Sequence, residues 1–410
     1  MRRRGIDIIK IICKLALIVT NVFCMFTNVT VAKEIKPGAV INQQNYKDYL
    51  PALKDLLAPS RYAAYTKGLE KGWITMPVVS DGPRIGPPPG VREATAKYAS
   101  QCKLLPNGQL TNYVAGNPFP NPKTGLELAW NGFKTRSIPD DAIIPGEFHL
   151  INKKGIEERS FKWILYKKFW IGRTHIPPLG EIPGNKGILE SKESLIITSP
   201  FDVKGFIMFR VRYWDLDRSD DCYSYLPALR RIRRLTGSDV TDPLLGSDAT
   251  PDDFQVWRQK INPKMTFKNL GVRDYLETRY YPGNKNPLEK DMLRRNCLQV
   301  EWEIRPLYTL EVMINDPDYV YSKRVITIEK YNDSYNLING SNYDQKGRLF
   351  KSDSQLTNFS PETGIYGARC HTFRNLITDH TTQLVFVFTI DGTPVADEKF
   401  SIKHLLKSAR

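Results

Sequence analysis

Apolar residues recur at helical spacing over residues 46–57 and 61–71, are interrupted by Gly82-Pro83 and Pro87-Pro88-Pro89-Gly90, and resume that spacing over 91–105. From Ile143 onward the pattern changes to runs rich in β-branched and aromatic residues, at 161–166, 195–198, 206–214, 298–304, 310–314, 325–329 and 384–390. Turn chemistry separates some of them, with Asp344-Gln345-Lys346-Gly347 and Asp391-Gly392 as hairpin signals. Residues 400–407 carry a last helical pattern, capped by Ser401. No solenoid or propeller period is present. Strands in series framed by helices predict an α+β fold, with a helical and proline-rich segment over 33–140 packing on a sheet and an antiparallel sheet domain over 141–410.

The first residues change the picture from a fold to a location. Arg2, Arg3 and Arg4 form a positive start, residues 15–26 are largely apolar, and Thr30-Val31-Ala32 precede the charged pair Lys33-Glu34. That three-part layout predicts a cleaved secretory signal over residues 1–32 and a mature chain starting near Lys33, in the periplasm. Lys14 and Asn21 cut the apolar run below membrane-spanning length. Asn21 and Phe23 stand where lipidation at Cys24 would require an aliphatic and a small residue. Asp7 close behind the arginines, and the lack of a cofactor motif downstream, favour ordinary secretion over twin-arginine export.

Hydrophobic residues make up 41% of the chain and aromatics 11%, ample for a packed core. The formal charge of +15 falls by four, to about +11, once Arg2, Arg3, Arg4, Lys10, Lys14 and Asp7 are removed with the signal. In the cytoplasm such a balance would raise nucleic acid as a partner; outside it, anionic lipid head groups or an acidic protein fit, and no nucleic acid is expected. Cys102, Cys222, Cys297 and Cys370 remain after cleavage. In an oxidising compartment they permit two disulfides, with all three connectivities open, and fewer than four free thiols are expected. None forms a C-x-x-C pair, which argues against a thioredoxin-like site and a zinc ribbon.

Two charged stretches are candidate sites. In Trp214-Asp215-Leu216-Asp217-Arg218-Ser219-Asp220-Asp221 the carboxylates alternate as in a calcium loop, but Asp220 replaces the required glycine and Leu226 the closing glutamate. No metal is predicted there; a polar loop paired with nearby arginines is the simpler reading. In the run Leu229-Arg230-Arg231-Ile232-Arg233-Arg234-Leu235, strand geometry puts Arg231 and Arg233 on one face and Arg230, Ile232 and Arg234 on the other. Arg231 and Arg233 could therefore meet an anionic ligand head group, or the run could pair with the flanking acidic loops around Asp217 and Asp252. Nucleophile, phosphate, dinucleotide and metalloprotease motifs are all missing, and no two of the five histidines have helical ligand spacing. Cys370 and His371 are adjacent, which on a strand turns their side chains to opposite faces.

Further residues carry a resemblance. They are Lys36-Pro37-Gly38; Asn112-Tyr113-Val114-Ala115-Gly116-Asn117-Pro118-Phe119-Pro120 with Gly125 and Ala129-Trp130-Asn131; Tyr225-Leu226-Pro227 with the arginine run; residues 248–254; Tyr343-Asp344-Gln345-Lys346-Gly347-Arg348-Leu349-Phe350; and residues 400–405. Taken together they resemble the domain-of-unknown-function family 1329, periplasmic proteins related to outer-membrane lipoprotein-sorting factors. The resemblance implies a curved antiparallel sheet, a half-barrel closed on one side by helices as in the lipoprotein carrier and its receptor. It implies a concave face left apolar and unfilled, into which an acyl or terpenoid chain fits. It implies an inner-membrane efflux pump or an outer-membrane protein as partner, no cofactor and no catalytic residues. It says nothing for a pairing of Cys222 or Cys297, so the disulfides rest on compartment alone. The function expected is non-enzymatic: an exported protein that binds or shuttles a hydrophobic, lipid-like molecule. The alternatives are a structural partner of an envelope transport complex without a ligand, and an envelope lipid hydrolase, which would need Cys370 or a serine within reach of a histidine and a carboxylate.

Overall fold

The computed structural model describes residues 33–135, 138–235, 241–282, 300–360, 366–386 and 394–401; the expected signal, Cys297, the Asp391-Gly392 turn and most of the C-terminal helical pattern lie outside them. Four α-helices occur among the described residues: α1 (Leu50–Leu56), α2 (Pro59–Glu70), α3 (Pro89–Tyr98) and α4 (Gly125–Lys134). The first three carry proline in their opening turn, where its missing N–H costs nothing and its fixed φ suits the helix. The fourth is started by a capping box, Thr124 accepting from the Glu127 amide while the Glu127 side chain accepts from that of Thr124.

One large sheet dominates. Its long strands are β1 (Asp141–Ile151), β2 (Glu157–Phe169), β3 (Leu189–Ser199), β4 (Ile207–Tyr213), β5 (Asp221–Leu226), β6 (Arg231–Leu235), β7 (Met265–Thr278), β8 (Trp302–Ile314), β9 (Lys323–Glu329), β10 (Leu337–Tyr343), β11 (Leu349–Phe359), β12 (Tyr366–Asn375) and β13 (Thr381–Phe386). Spatial order runs β6-β5-β4-β3-β2-β1-β13-β12-β11-β10-β9-β8-β7, every neighbouring pair antiparallel. The chain thus lays down one wing outward from β1, crosses to the far edge at β7, and returns until β13 closes against β1. The sheet is curved and not closed into a barrel, so the expected α+β architecture holds.

The two faces are covered differently. On the outer face α1 and α2 pack Leu53, Leu57, Ala64 and Leu69 against Leu276, Trp302, Leu356 and Cys370. The buried Arg61 of α2 pairs there with the buried Glu277, which also accepts 2.7 Å from Asn339. On the inner face α4 packs Leu128, Ala129 and Trp130 toward Leu310, Ile326 and Ile328. This approach is so close that a Cβ on Gly125 would stand 2.5 Å from the Phe267 carbonyl carbon.

The crossing from β6 to β7, described from residue 241 on, does not skirt the sheet: it runs through the concavity as a strap. Leu244, Leu245, Ala249 and Phe254 of this strap enter one inner core with Phe148, Trp163, Leu195 and Phe373. Val256, Trp257 and Ile261 enter the other, beside α4. Gln255 and Val256 have φ of 56° and 72° between these anchors, a costly left-handed turn for non-glycine residues that sends Phe254 and Trp257 apart. The concave face is therefore largely filled by the chain itself, and it is rich in buried charge, which corrects the expectation of an open and apolar concavity.

Candidate binding chamber

Between the strap and strands β1–β4, β12 and β13 a chamber of about 90 Å³ remains. Ile144, Trp163, Leu165, Leu195, Met208, Phe254 and Leu384 make its apolar wall, Lys167, Glu193, Arg210 and Arg258 form a polar pole, and His371 lines it beside Leu384. A smaller cavity of about 50 Å³ adjoins it, sharing Ile138, Lys167, Gln255 and Arg258 and reaching Gly132 and Phe133 of α4. The strands build this division by alternation: Trp163, Leu165 and Lys167 project inward from β2, Glu193 and Leu195 from β3, Met208 and Arg210 from β4. Gly146 makes room for the Trp163 indole, whose ring lies 2.3 Å from where a Cβ would stand.

At the polar pole three cations gather on one carboxylate, with Glu193 lying 3.1 Å from Arg258, 3.2 Å from Lys167 and 3.9 Å from Arg210. Burial would raise the Glu193 carboxyl, yet these cations hold it well below the usual carboxylate range. Burial lowers the Lys167 ammonium, and Arg258 adds to the effect, so that it falls to about 7 in spite of Glu193. Arg210 also donates to Asp252 of the strap at 3.3 Å. His371 stacks on Phe373 at 4.1 Å, and burial pushes its imidazole down to about 3, so the ring is neutral.

Behind the strap lies a second charge cluster. Asp253 accepts from Lys351 at 2.6 Å, Arg324 at 3.1 Å, Tyr321 at 3.1 Å and the Thr250 hydroxyl at 2.7 Å, and is fully buried. Burial alone would raise this carboxyl, but Lys351 and Arg324 outweigh it and keep Asp253 ionised. Burial, and then the charge of Asp253, push the neighbouring Asp353 carboxyl up to about 8. Arg324 also donates to the Val256 carbonyl at 3.4 Å, so the cluster holds the strap's left-handed turn in place.

Arg231 and Arg233 lie exposed on the edge strand β6. Their register through Leu226 and Ser224 to Met208 puts them on the inner side of the sheet. Of the run's expected acidic partners, Asp221 pairs with Arg234 at 2.6 Å, whereas Asp252 serves Arg210 and the Asp217 carboxylate lies 3.4 Å from Asn107. The acidic loop at 215–221 is tied to the chain's own cations: Asp220 accepts from Arg212 at 2.9 Å, and Lys260 reaches the Asp215 and Arg218 carbonyls.

Two disulfides, which the cysteine count permits, do not form among the described residues. Two disulfides need all four cysteines, and Cys102 and Cys222 are buried and unbridged. Cys222 on β5 and Cys370 on β12 are separated by five further strands, whereas a disulfide needs Cα atoms within about 7 Å. Burial raises the Cys102 thiol to about 11 and the Cys222 thiol in the same direction, which leaves both unreactive. Cys370 faces the outer core and His371 the chamber, so the two do not meet.

A curved, open antiparallel sheet around a small inner chamber defines a half-barrel. The chain belongs to the family described as protein of unknown function (DUF1329), whose profile matches residues 40–404. An uncharacterized protein of Pseudomonas aeruginosa is 33% identical over 333 residues, 77% of this chain and 68% of that protein. Among solved structures, a DUF1329 family protein from Desulfovibrio piger shares 18% identity over 68% of this chain and 97% of its own, with a TM-score of 0.50. A Vibrio parahaemolyticus domain named for outer-membrane lipoprotein sorting shares 20% over 69% and 98%, with a TM-score of 0.49.

Proposed function

We propose that this protein binds or carries a hydrophobic molecule in the periplasm, without catalysing a reaction, and holds the molecule's apolar part in the chamber under the strap. The chamber itself carries this reading: a space of about 90 Å³, walled by Trp163, Leu195, Met208 and Leu384, lies inside a half-barrel whose edges β6 and β7 are unpaired among the described residues. A pump that exports hydrophobes, or an outer-membrane protein, is the kind of partner that would deliver or receive such a cargo. Native mass spectrometry of gently purified mature protein is expected to show a bound small molecule that organic extraction removes. A ligand-free mass in every preparation would favour a structural role in a transport complex, which the strap's filling of the concavity also suits.

Arg231 and Arg233 are the proposed first contact for a charged head group at the open edge. Changing both to Gln is expected to weaken binding of a charged amphiphile by roughly 1.5–3 kcal/mol per lost charge-assisted bond. The melting temperature should hardly change, because both side chains are exposed and surface substitutions of this kind stay within about 0.5 kcal/mol. Titration and thermal melt on the same variant decide it; unchanged affinity with a lower melting temperature would assign the pair to ion pairing instead.

A further inference from the structure

We infer that the chamber accepts a single-chain amphiphile bearing one negative charge, its carboxylate seated against Arg210 and its chain against Trp163, Leu195, Met208 and Phe254. This deepens the binding role proposed above and rests on it. Arg210 is 3% exposed, and its Nη1 has no hydrogen-bond partner among the described residues, while Nη2 is 3.3 Å from Asp252 and Nε 3.9 Å from Glu193. The Cys222 thiol opposite Arg210 is a weak acceptor, so this buried guanidinium at the polar end of an apolar cavity lacks a strong one, and a ligand oxygen would supply it.

The local charge balance sets the sign of the ligand. Arg210 and Arg258 offset Glu193 and Asp252, and Lys167 beside them supplies the excess positive charge when protonated, so a carboxylate is favoured over an ammonium head. The chamber's size sets the class. Space for one water needs about 10–15 Å³ on this scale, so about 90 Å³ admits roughly six to nine non-hydrogen atoms, a short chain or all but the end of an eight-carbon one. A multiply acylated lipid does not fit beneath the closed strap. A phosphate head would bring a second charge close to Glu193 and Asp252, which favours the monoanion.

The test compares octanoate, octan-1-ol and octylammonium on the full mature protein, by calorimetry and by the fluorescence of its tryptophans. Octanoate is expected to bind tightest and octylammonium weakest. Arg210→Gln should weaken octanoate by about 10- to 100-fold and leave octan-1-ol within about twofold, the loss of one charge-assisted hydrogen bond. Arg210→Lys, which keeps a charge opposite Asp252, should recover much of the octanoate affinity. Equal binding of octanoate and octan-1-ol to the unaltered protein would overturn the head-group assignment and leave the chamber as a binding site. Failure of all three probes would overturn both. The ranking on unaltered protein decides the matter even if Arg210→Gln does not fold.

Discussion

Asp253→Asn is expected to lower the stability of the fold by about 3–5 kcal/mol, the cost of removing one partner from a buried ion pair. Lys351, Arg324, Tyr321 and Thr250 all direct donors at this carboxylate, and an amide would turn a donor of its own toward them. The same cluster fixes the strap, through Arg324 on the Val256 carbonyl, so the inner cores on both sides should loosen together. Asp353→Asn should behave differently. Asp353 is held protonated because burial and Asp253 raise its carboxyl to about 8. The folded state therefore keeps a proton that the unfolded chain releases at its ordinary carboxylate pKa of about 4, and stability falls as pH rises from about 4 to about 8. Asparagine cannot ionise, so the melting temperature of Asp353→Asn relative to the unaltered protein should climb between pH 5 and pH 8. Asp253 works with the opposite sign: its carboxyl is depressed, so its contribution is present above about pH 4 and lost as the pH falls further. In Asp253→Asn the charge that suppresses ionisation of Asp353 is gone, and Asp353 can take over part of the pairing. The double variant should then lose more than the two single changes summed, which a double-mutant cycle measures.

The parts of this architecture legible in the sequence are those whose strands bury apolar side chains. Residues 161–166 and 325–329 read as strands because Phe161, Trp163, Ile326 and Ile328 are buried in the inner cores. The polar strands were not legible. Leu337–Tyr343 reads as a loop, Leu-Ile-Asn-Gly-Ser-Asn-Tyr, yet Asn339, Ser341 and Asn342 are all buried. Leu349–Phe359 likewise buries Lys351, Asp353 and Gln355. Period-two alternation marks a strand only when one face is apolar, and here both faces are covered while one carries an ion network. Helix α4 has a readable start in Thr124-Gly-Leu-Glu127, a capping box before an apolar run, although Gly125 and Gly132 weaken its helical pattern. The arginine run drew attention by its density, but Arg210 and Arg258, single cations in apolar or mixed segments, are the ones at the chamber. Their role depends on two strands and a strap meeting across more than forty residues, and no local pattern carries that.

Phe254→Ala is expected to separate stability from binding. Phe254 lies between Phe148 and Phe373, with ring centroids 6.5 Å and 6.1 Å away, and its ring forms part of the chamber wall. Removing it should cost about 2–4 kcal/mol, below the full range for a buried aromatic because the side chain is only half-buried. The same truncation lengthens the chamber along its apolar axis. Each further methylene buried there is worth about 0.8 kcal/mol, so decanoate should gain about 1.6 kcal/mol over octanoate in the variant, somewhat more than tenfold in affinity. The unaltered protein should show little or no such gain, because the ring blocks the chain's advance. A chain-length series titrated against both proteins, beside their thermal melts, measures the two effects independently. Should both proteins gain equally with chain length, the strap yields to ligand without help from the substitution. If instead the variant binds every chain more weakly, Phe254 is a wall the ligand needs and not an occupant of its place.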